Sequence, residues 1–403
     1  MKVLQIIDTL RPGGAEMMAV NLANALITQG VESHLLVTRA MGELTTRLSP
    51  GIHLYNLKKT SSFDIRAVIN CISIIKRQQI THFHAHSTSI YLTWILTWFL
   101  PKVKFFWHDH YGEPLGDRKI KGLNIITKRF KGIIAVNPDL ADWARKRLGH
   151  QQILYLPNFI TSNNLSGSPE HSDSAKADSN ANHDQTQIQI DRNTNSGHAK
   201  NTMLQAPGTF KIICVANLRP QKDHQNLILA YERLQKMLQS QQEIAGASSR
   251  KSLTELPKVS LHLIGAESEP DYVANLKKTI ADSGLDQIYF YGVQQNPEAL
   301  MSQADLGVLS SLSEGLPMTL LEYAQAQLPV VVTDVGACAE VVAENGLVVP
   351  PQNPEALAQA IYQLLQSPER AKKMATGLKS RVESHYSSPA VVPKLIDFYQ
   401  GLS

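Results

Sequence analysis

Two tandem series of short apolar runs, each run followed by a segment of helix length, predict an α/β fold: two doubly wound, Rossmann-like domains facing across a cleft. Three observations carry this reading. They are the alternation itself, a polar tract that separates the two series, and a strand-loop-helix unit near residue 310 whose backbone donors suit an anion.

The first series comprises Val3 to Ile7, Ser33 to Val37, Ile80 to His84, Lys104 to Trp107, Gly132 to Val136 and Ile153 to Leu156. Each run is too short for a helix and suits a buried parallel strand. Gly13 and Gly14 follow the first strand, where the absence of side chains lets backbone amides approach a ligand. Between Ile90 and Leu100 the sequence IYLTWILTWFL is eleven residues long. That is short of the roughly 20 residues a spanning helix needs, so the segment reads as a buried helix or as one lying in a membrane interface.

From Asn163 to Ala206 the chain is rich in Asn, Ser, Asp, Gln and Ala, has no aromatic residue, and carries five large apolar ones: Leu165, Ile188, Ile190, Met203 and Leu204. Such a segment buries too little surface to order itself. The implied organisation is a first domain at 1–160, a disordered linker at 161–207, a second domain at 208–388 and a terminal helix at 389–403. The second series contains Phe210 to Val215, Val259 to Ile264, Ile288 to Tyr291, Leu306 to Leu309 and Val330 to Thr333. A polar insertion at about Gln239 to Lys258 reads as decoration of a helix-strand loop.

The stretch from Ser310 to Gly336 holds the strongest chemical signal. Pro317 fits the first position of a helix, which leaves the amides of Met318, Thr319 and Leu320 pointing out of its N-terminus, where the dipole favours phosphate. Glu314 falls in the loop and Glu322 on the helix, so two carboxylates can accept hydrogen bonds from different parts of one extended ligand. Arg219 and Lys222 follow another strand end and offer a planar fork and a point charge for phosphate oxygens. His82, His84 and His86 alternate along one strand face, with His108 and His110 after the next strand. A zinc site would suit clustered histidines, but no cysteine accompanies them and only Asp109 is close in sequence, so the reading is of no metal.

Glu314 and Glu322 within SEGLPMTLLEYA resemble the E-x7-E motif of the retaining GT-B glycosyltransferases of family 4, also called group 1. PGGAE from Pro12, HAHS from His84, WHDH from Trp107, PNF from Pro157, NLRPQKDH from Asn217, LIGA from Leu263 and YGV from Tyr291 match in the family's order, so the resemblance covers nearly the whole chain. It implies a GT-B fold, with the last helix crossing back to the first domain, and a metal-independent enzyme of the polysaccharide-biosynthesis type that needs no cofactor beyond its nucleotide-sugar donor. The donor would be a UDP-sugar or a GDP-sugar. The transfer would retain anomeric configuration, with the leaving phosphate taking the acceptor's proton.

On the same resemblance His108, Asp109 and Glu314 are the catalytic residues. Donor binding falls to Gly13, Gly14, Arg219, Lys222, Gly315, Leu316, Met318, Thr319, Leu320 and Glu322, and His86 is a cleft residue on the acceptor side. Three positions depart from the family pattern. Asn217 stands where many relatives have the arginine, Tyr323 replaces an alanine, and Gln327 replaces a glycine, which predicts a different helix ending. A GT-B-fold epimerase and a non-catalytic sugar-nucleotide sensor are the alternative readings.

Net charge is +4, from 39 basic and 35 acidic side chains, too balanced to indicate nucleic-acid binding. Between Lys102 and Arg147, however, eleven basic residues face five acidic ones. This patch would favour an anionic cytoplasmic membrane face, and with it a polyprenyl-linked or growing glycan as acceptor. Three widely separated cysteines suit a reducing cytosol, and the N-terminal MKVLQIIDTL reads as a first strand rather than a signal peptide.

Overall fold

The computed structural model describes residues 1–61, 64–112, 118, 122–161, 208–294 and 296–402, except 248–256. The expected linker at 161–207 lies outside the described residues apart from Thr161, as does the middle of the polar insertion before Lys258. The first part of that insertion is not loop as expected: the helix His224–Ala247, which follows the second domain's first strand, continues through it from Gln239 to Ala247.

Seven parallel strands form the first sheet: β1 (Lys2–Thr9), β2 (Glu32–Ala40), β3 (His53–Asn56), β4 (His82–His86), β5 (Lys104–Asp109), β6 (Gly132–Ala135) and β7 (Ile153–Tyr155), in the order β3-β2-β1-β4-β5-β6-β7. Six parallel strands form the second: β8 (Thr209–Val215), β9 (Lys258–Ile264), β10 (Ile288–Phe290), β11 (Leu306–Leu309), β12 (Val330–Thr333) and β13 (Leu347–Val349), in the order β10-β9-β8-β11-β12-β13. Both orders reverse direction once, at β1/β4 and at β8/β11. In open α/β sheets such reversals leave a crevice at the carboxyl ends of the strands, where ligands bind. Here the two crevices face each other.

Helices cover both faces of each sheet because the central strands are apolar on both sides. One core cluster runs across the junction, joining Ile7, Leu10 and Met17 of the first domain to Leu316, Leu320 and Leu321 of the second. The last helix, Ser388–Gly401, crosses to the first sheet and buries Val391, Val392, Leu395 and Tyr399 against Val3, Phe106, Ile134 and Phe159. Its entry is pinned by Ile160, whose amide donates to Tyr386 O and whose carbonyl accepts from Ser388 N, each at 2.9 Å.

The apolar run near residue 90 folds as a ten-residue helix, Ile90–Phe99, with Ile90, Leu92, Thr93, Leu96 and Thr97 buried. Its other face carries Tyr91, Trp98 and Phe99 into solvent. The helix Met318–Gln325 ends in the left-handed turn that glycine usually supplies. Gln327 sits at φ +53°, and Leu328 N bonds Tyr323 O at 3.0 Å. The expected change of helix ending is therefore not what the chain does: it keeps the turn and places glutamine in it.

Candidate active site

A cleft of about 1080 Å³ opens between the two sheets. Its walls are strand ends: Gly13, Gly14 and Glu16 after β1, Ser87 and Thr88 after β4, Asp109 and His110 at the end of β5, Val215, Arg219 and Lys222 after β8, and Glu314 to Thr319 after β11. The size suits a nucleotide sugar, and carboxyl ends of strands from both domains line it.

On the second domain, Lys222 closes a short turn, Pro220–Lys222, and its Nζ lies 2.6 Å from Glu314 Oε1. Ser311 Oγ donates to the same oxygen at 2.6 Å. Ser310 Oγ ties the two loops together through Lys222 O. Glu314 is thus held by one charge and one hydroxyl at the base of the cleft. Gly336 backs this loop at φ +54°, and a Cβ there would fall 2.2 Å from Glu314 O. Arg219 is exposed in the same wall.

The helix expected to face phosphate begins one residue later than the sequence suggests. Pro317 is the cap residue, with ψ 124°, and the helix starts at Met318. Leu320 N donates to Pro317 O at 3.2 Å, so this amide is spent on the first turn. Leu320 is a core residue whose side chain is fully buried. Its expected place among the donor ligands is corrected accordingly, and the amides at the mouth are those of Met318 and Thr319.

Glu322, one turn farther along, lines the cleft and is half-buried. Burial raises its carboxyl pKa to about 7; the neighbouring Glu298 adds to the rise and Arg47 opposes it. Arg47 reaches from the first domain to hold Glu298 bidentately, at 2.9 and 3.3 Å. The next residue, Tyr323, lies over Gly307 and donates its hydroxyl proton to Ile213 O at 3.2 Å while accepting from Val215 N at 2.9 Å. It serves the end of β8, where pairing with β11 stops at Ile213. Tyrosine at the family's alanine position is therefore a substitute for missing ladder bonds.

The histidines of β4 and β5 stack under the last helix. His84, His86 and His108 are fully buried and do not line the cleft; His110 does. His108 and His86 are therefore corrected as contact residues. Both sit on central strands with their rings packed on each other and on those of His84 and His110. His108 Nδ1 pairs with His84 Nε2 at 3.1 Å, and His86 Nδ1 pairs with His110 Nε2 at 3.0 Å. Burial lowers all four pKa values, to about 3 for His84 and His110, so the rings are neutral.

Asp109 lines the cleft, but Arg118 grips both its oxygens at 2.6 and 3.0 Å. Burial raises its pKa and that guanidinium opposes the rise. Arg118 in turn stacks 4.2 Å from the Tyr111 ring centroid and 4.1 Å from that of Trp143.

Ring nitrogens of His84, His86 and His108 lie within 4.8 Å of one another, as do ligand atoms of Glu32, His34 and His53 on the far side of the sheet. The first group hydrogen-bonds within itself and with Tyr399, Gln5 and His110. The second group includes a His34–Glu32 hydrogen bond of 3.0 Å. Sequence reasoning missed His110, Glu16 and the Arg47–Glu298 bridge. The period of two in HDH put His110 on the face of His108, one step nearer the strand end, which is the signal that could have found it.

Residues 200–381 match the family described as glycosyl transferases group 1, and residues 12–163 match glycosyltransferase family 4. The O-antigen biosynthesis glycosyltransferase WbnH of Escherichia coli is 33% identical over 147 residues, covering 34% of this chain and 39% of that protein. The lipopolysaccharide core biosynthesis mannosyltransferase LpsB of Rhizobium meliloti is 30% identical over 137 residues, covering 32% of this chain and 39% of that protein. The match thus spans about two fifths of the length of each of these relatives, at 39%. Among solved structures, Anabaena Alr3699/HepE in complex with UDP and glucose superposes with a TM-score of 0.72 at 17% identity over 99% of both chains. Sucrose-phosphate synthase from Thermosynechococcus elongatus gives 0.71 at 15% identity, over 100% of this chain and 98% of that one. At these identities the likeness establishes the GT-B fold.

Proposed function

Because this chain belongs to the group 1, family 4 glycosyltransferases, we propose that it transfers a sugar from a nucleoside diphosphate sugar to a hydroxyl of a glycan in polysaccharide biosynthesis. The observation that carries the proposal is the Lys222–Glu314 pair beside the open amides of Met318 and Thr319, with Arg219 in the same wall. As the anomeric carbon–phosphate bond breaks, charge accumulates on the leaving diphosphate. Preorganised cations and amides stabilise that charge most when it has fully formed.

In this reading Lys222, Arg219 and the two amides hold the diphosphate, and Gly13 and Gly14 close over it from the first domain. Glu322 accepts from the ribose hydroxyls, Glu314 orients the donor sugar, and the base is that of a UDP-sugar or a GDP-sugar. Transfer is retaining and metal-independent. Two cleft carboxylates are already paired, Glu314 with Lys222 and Asp109 with Arg118, which makes each a poor nucleophile. The departing phosphate oxygen accepts the acceptor's proton on the face that the acceptor attacks. Relatives named for O-antigen and lipopolysaccharide core synthesis support a lipid-linked or growing surface glycan as acceptor.

Association with the inner face of the cytoplasmic membrane is part of the proposal. Trp98 and Phe99 are 61% and 59% exposed at the end of their helix, with the Arg129 guanidinium 3.8 Å from the Trp98 ring centroid. No helix among the described residues is long and apolar enough to cross a membrane. The test is incubation with a panel of UDP- and GDP-sugars, with and without EDTA, reading nucleotide release, followed by the anomeric configuration of the product. Release from one donor in EDTA with a retained anomer supports the proposal; an inverted anomer or an epimerised intact donor overturns it.

A further inference from the structure

Gln5 is a fully buried amide in the middle of β1, beside β4 in the sheet. Its Oε1 lies 2.8 Å from His86 Nε2. An amide oxygen only accepts, so His86 carries its proton on Nε2. A neutral His86 then has its lone pair on Nδ1, which faces His110 Nε2 at 3.0 Å. That bond in turn requires the proton on His110 Nε2 and leaves His110 Nδ1 as an acceptor. His110 is the one member of the chain of three that lines the cleft.

We propose that Gln5 and His86 are positioning residues that fix the tautomer of His110, making its Nδ1 a permanent hydrogen-bond acceptor for a sugar hydroxyl in the cleft. The reading of the cleft as a sugar-nucleotide site is the premise for the ligand. The relay itself rests only on the geometry.

The surroundings keep the relay neutral. The rings facing it are His84 and His108, with the Tyr399 hydroxyl behind His84. The nearest carboxylate in sequence, Asp109, is turned to Arg118. His110 stacks on His86 at an interplanar angle of 23° and sits 4.0 Å from the His108 ring centroid, so its ring plane is fixed along with its proton. A hydroxyl donates to a neutral imidazole nitrogen without any charge being buried. An imidazolium here would only donate and would reject the same hydroxyl.

The direction of the Gln5 amide decides the matter. Were its Nε2 turned to His86, every proton in the relay would reverse and His110 would present an N–H. Long-range ¹H–¹⁵N spectra of the full chain with labelled histidine, with His110→Gln to assign the signals, read this directly at pH 7. The expected wild-type pattern is Nε2–H for both His86 and His110. An Nδ1–H tautomer or an imidazolium at His110 overturns the proposal.

Gln5→Met, which keeps the length and removes the acceptor, should mix the His110 tautomers and lower kcat about 2- to 10-fold, the usual worth of one hydrogen bond, with KM for the donor unchanged. An unaltered tautomer in that variant overturns the role of Gln5. The wild-type spectrum decides the protonation pattern even if the variant does not fold. A chain that releases nucleotide from no donor would defeat the proposed function while leaving the spectrum as the test of the relay.

Discussion

Lys222 Nζ and Glu314 Oε1 stand 2.6 Å apart at the base of the cleft, their side chains 15% and 7% exposed. The two residues come from different strand ends of one sheet, 92 positions apart in the chain. A bound diphosphate would share the ammonium with the carboxylate, so the pair is a preset charge whose second partner is the ligand.

Lys222→Ala should therefore do two things. It removes a cation from the leaving group, with an expected loss of about 10²- to 10³-fold in donor turnover, and it strands a nearly buried carboxylate, at about 1–3 kcal/mol of stability. Lys222→Arg should recover the stability better than the activity, because a guanidinium still neutralises Glu314 but its longer planar fork does not put its charge where the ammonium stood beside the leaving group. Nucleotide release and denaturant unfolding on the same samples check both; full activity in the alanine variant would remove Lys222 from the donor site.

Gln327 holds a left-handed backbone, φ +53°, without being a glycine. Gln327→Gly should stabilise the protein by about 0.5–1 kcal/mol, because it relieves the β-carbon strain at a position whose side chain is exposed to solvent. Denaturant midpoints at constant slope measure it. A destabilised variant would mean that the gain in unfolded-chain entropy outweighs the strain.

Tyr323→Phe tests the substitute ladder at the end of β8. The amide of Val215 loses its partner, and the expected cost is about 1–3 kcal/mol. An unchanged midpoint would show that water or a relaxed strand end takes over that amide.

What the sequence made legible is what a strand end and its loop carry by themselves. Gly13, Gly14, Arg219, Lys222, Glu314 and Met318 stand in the cleft because each follows an apolar run by a few residues. The strands β3 and β13 escape such a reading. They are edge strands of four and three residues, half exposed, with little apolar pattern to show. His108 and His110 could not be told apart, since His108 is covered by the rings of His84 and His86, brought against it from the neighbouring strand. Nor could the environment of Glu322, which depends on Arg47 in the other domain. Side-chain partners brought by tertiary contact leave no local trace.

The exposed ridge at the end of the helix Ile90–Phe99 gives a test of membrane docking. Replacing Trp98 and Phe99 together with serine should reduce sedimentation with anionic vesicles, while hydrolysis of a soluble donor stays at the wild-type rate, because both side chains point to solvent away from the cleft. Equal sedimentation of the two proteins would leave the ridge without a membrane role.

Glu322 makes the cleft sensitive to pH. Its folded pKa of about 7 lies above the ordinary carboxyl value of 4.5, so between these values the folded protein binds more protons than the unfolded chain. Stability must then fall as pH rises through this window, by on the order of 3 kcal/mol from this group, with the cost fully present above about pH 7. Glu322→Gln should flatten that part of the profile and be the more stable protein at pH 8, with little difference at pH 4. Donor binding should move the other way, since only the ionised carboxylate accepts from both ribose hydroxyls: wild-type affinity rises through pH 7 and the glutamine variant shows no such rise. Arg47→Met, which removes the cation that opposes the shift, should carry the wild-type midpoint to higher pH. Calorimetric titration of the released nucleoside diphosphate across pH 5.5 to 8.5 reads all three proteins, and a pH-independent affinity in the wild type would take Glu322 out of the ribose site.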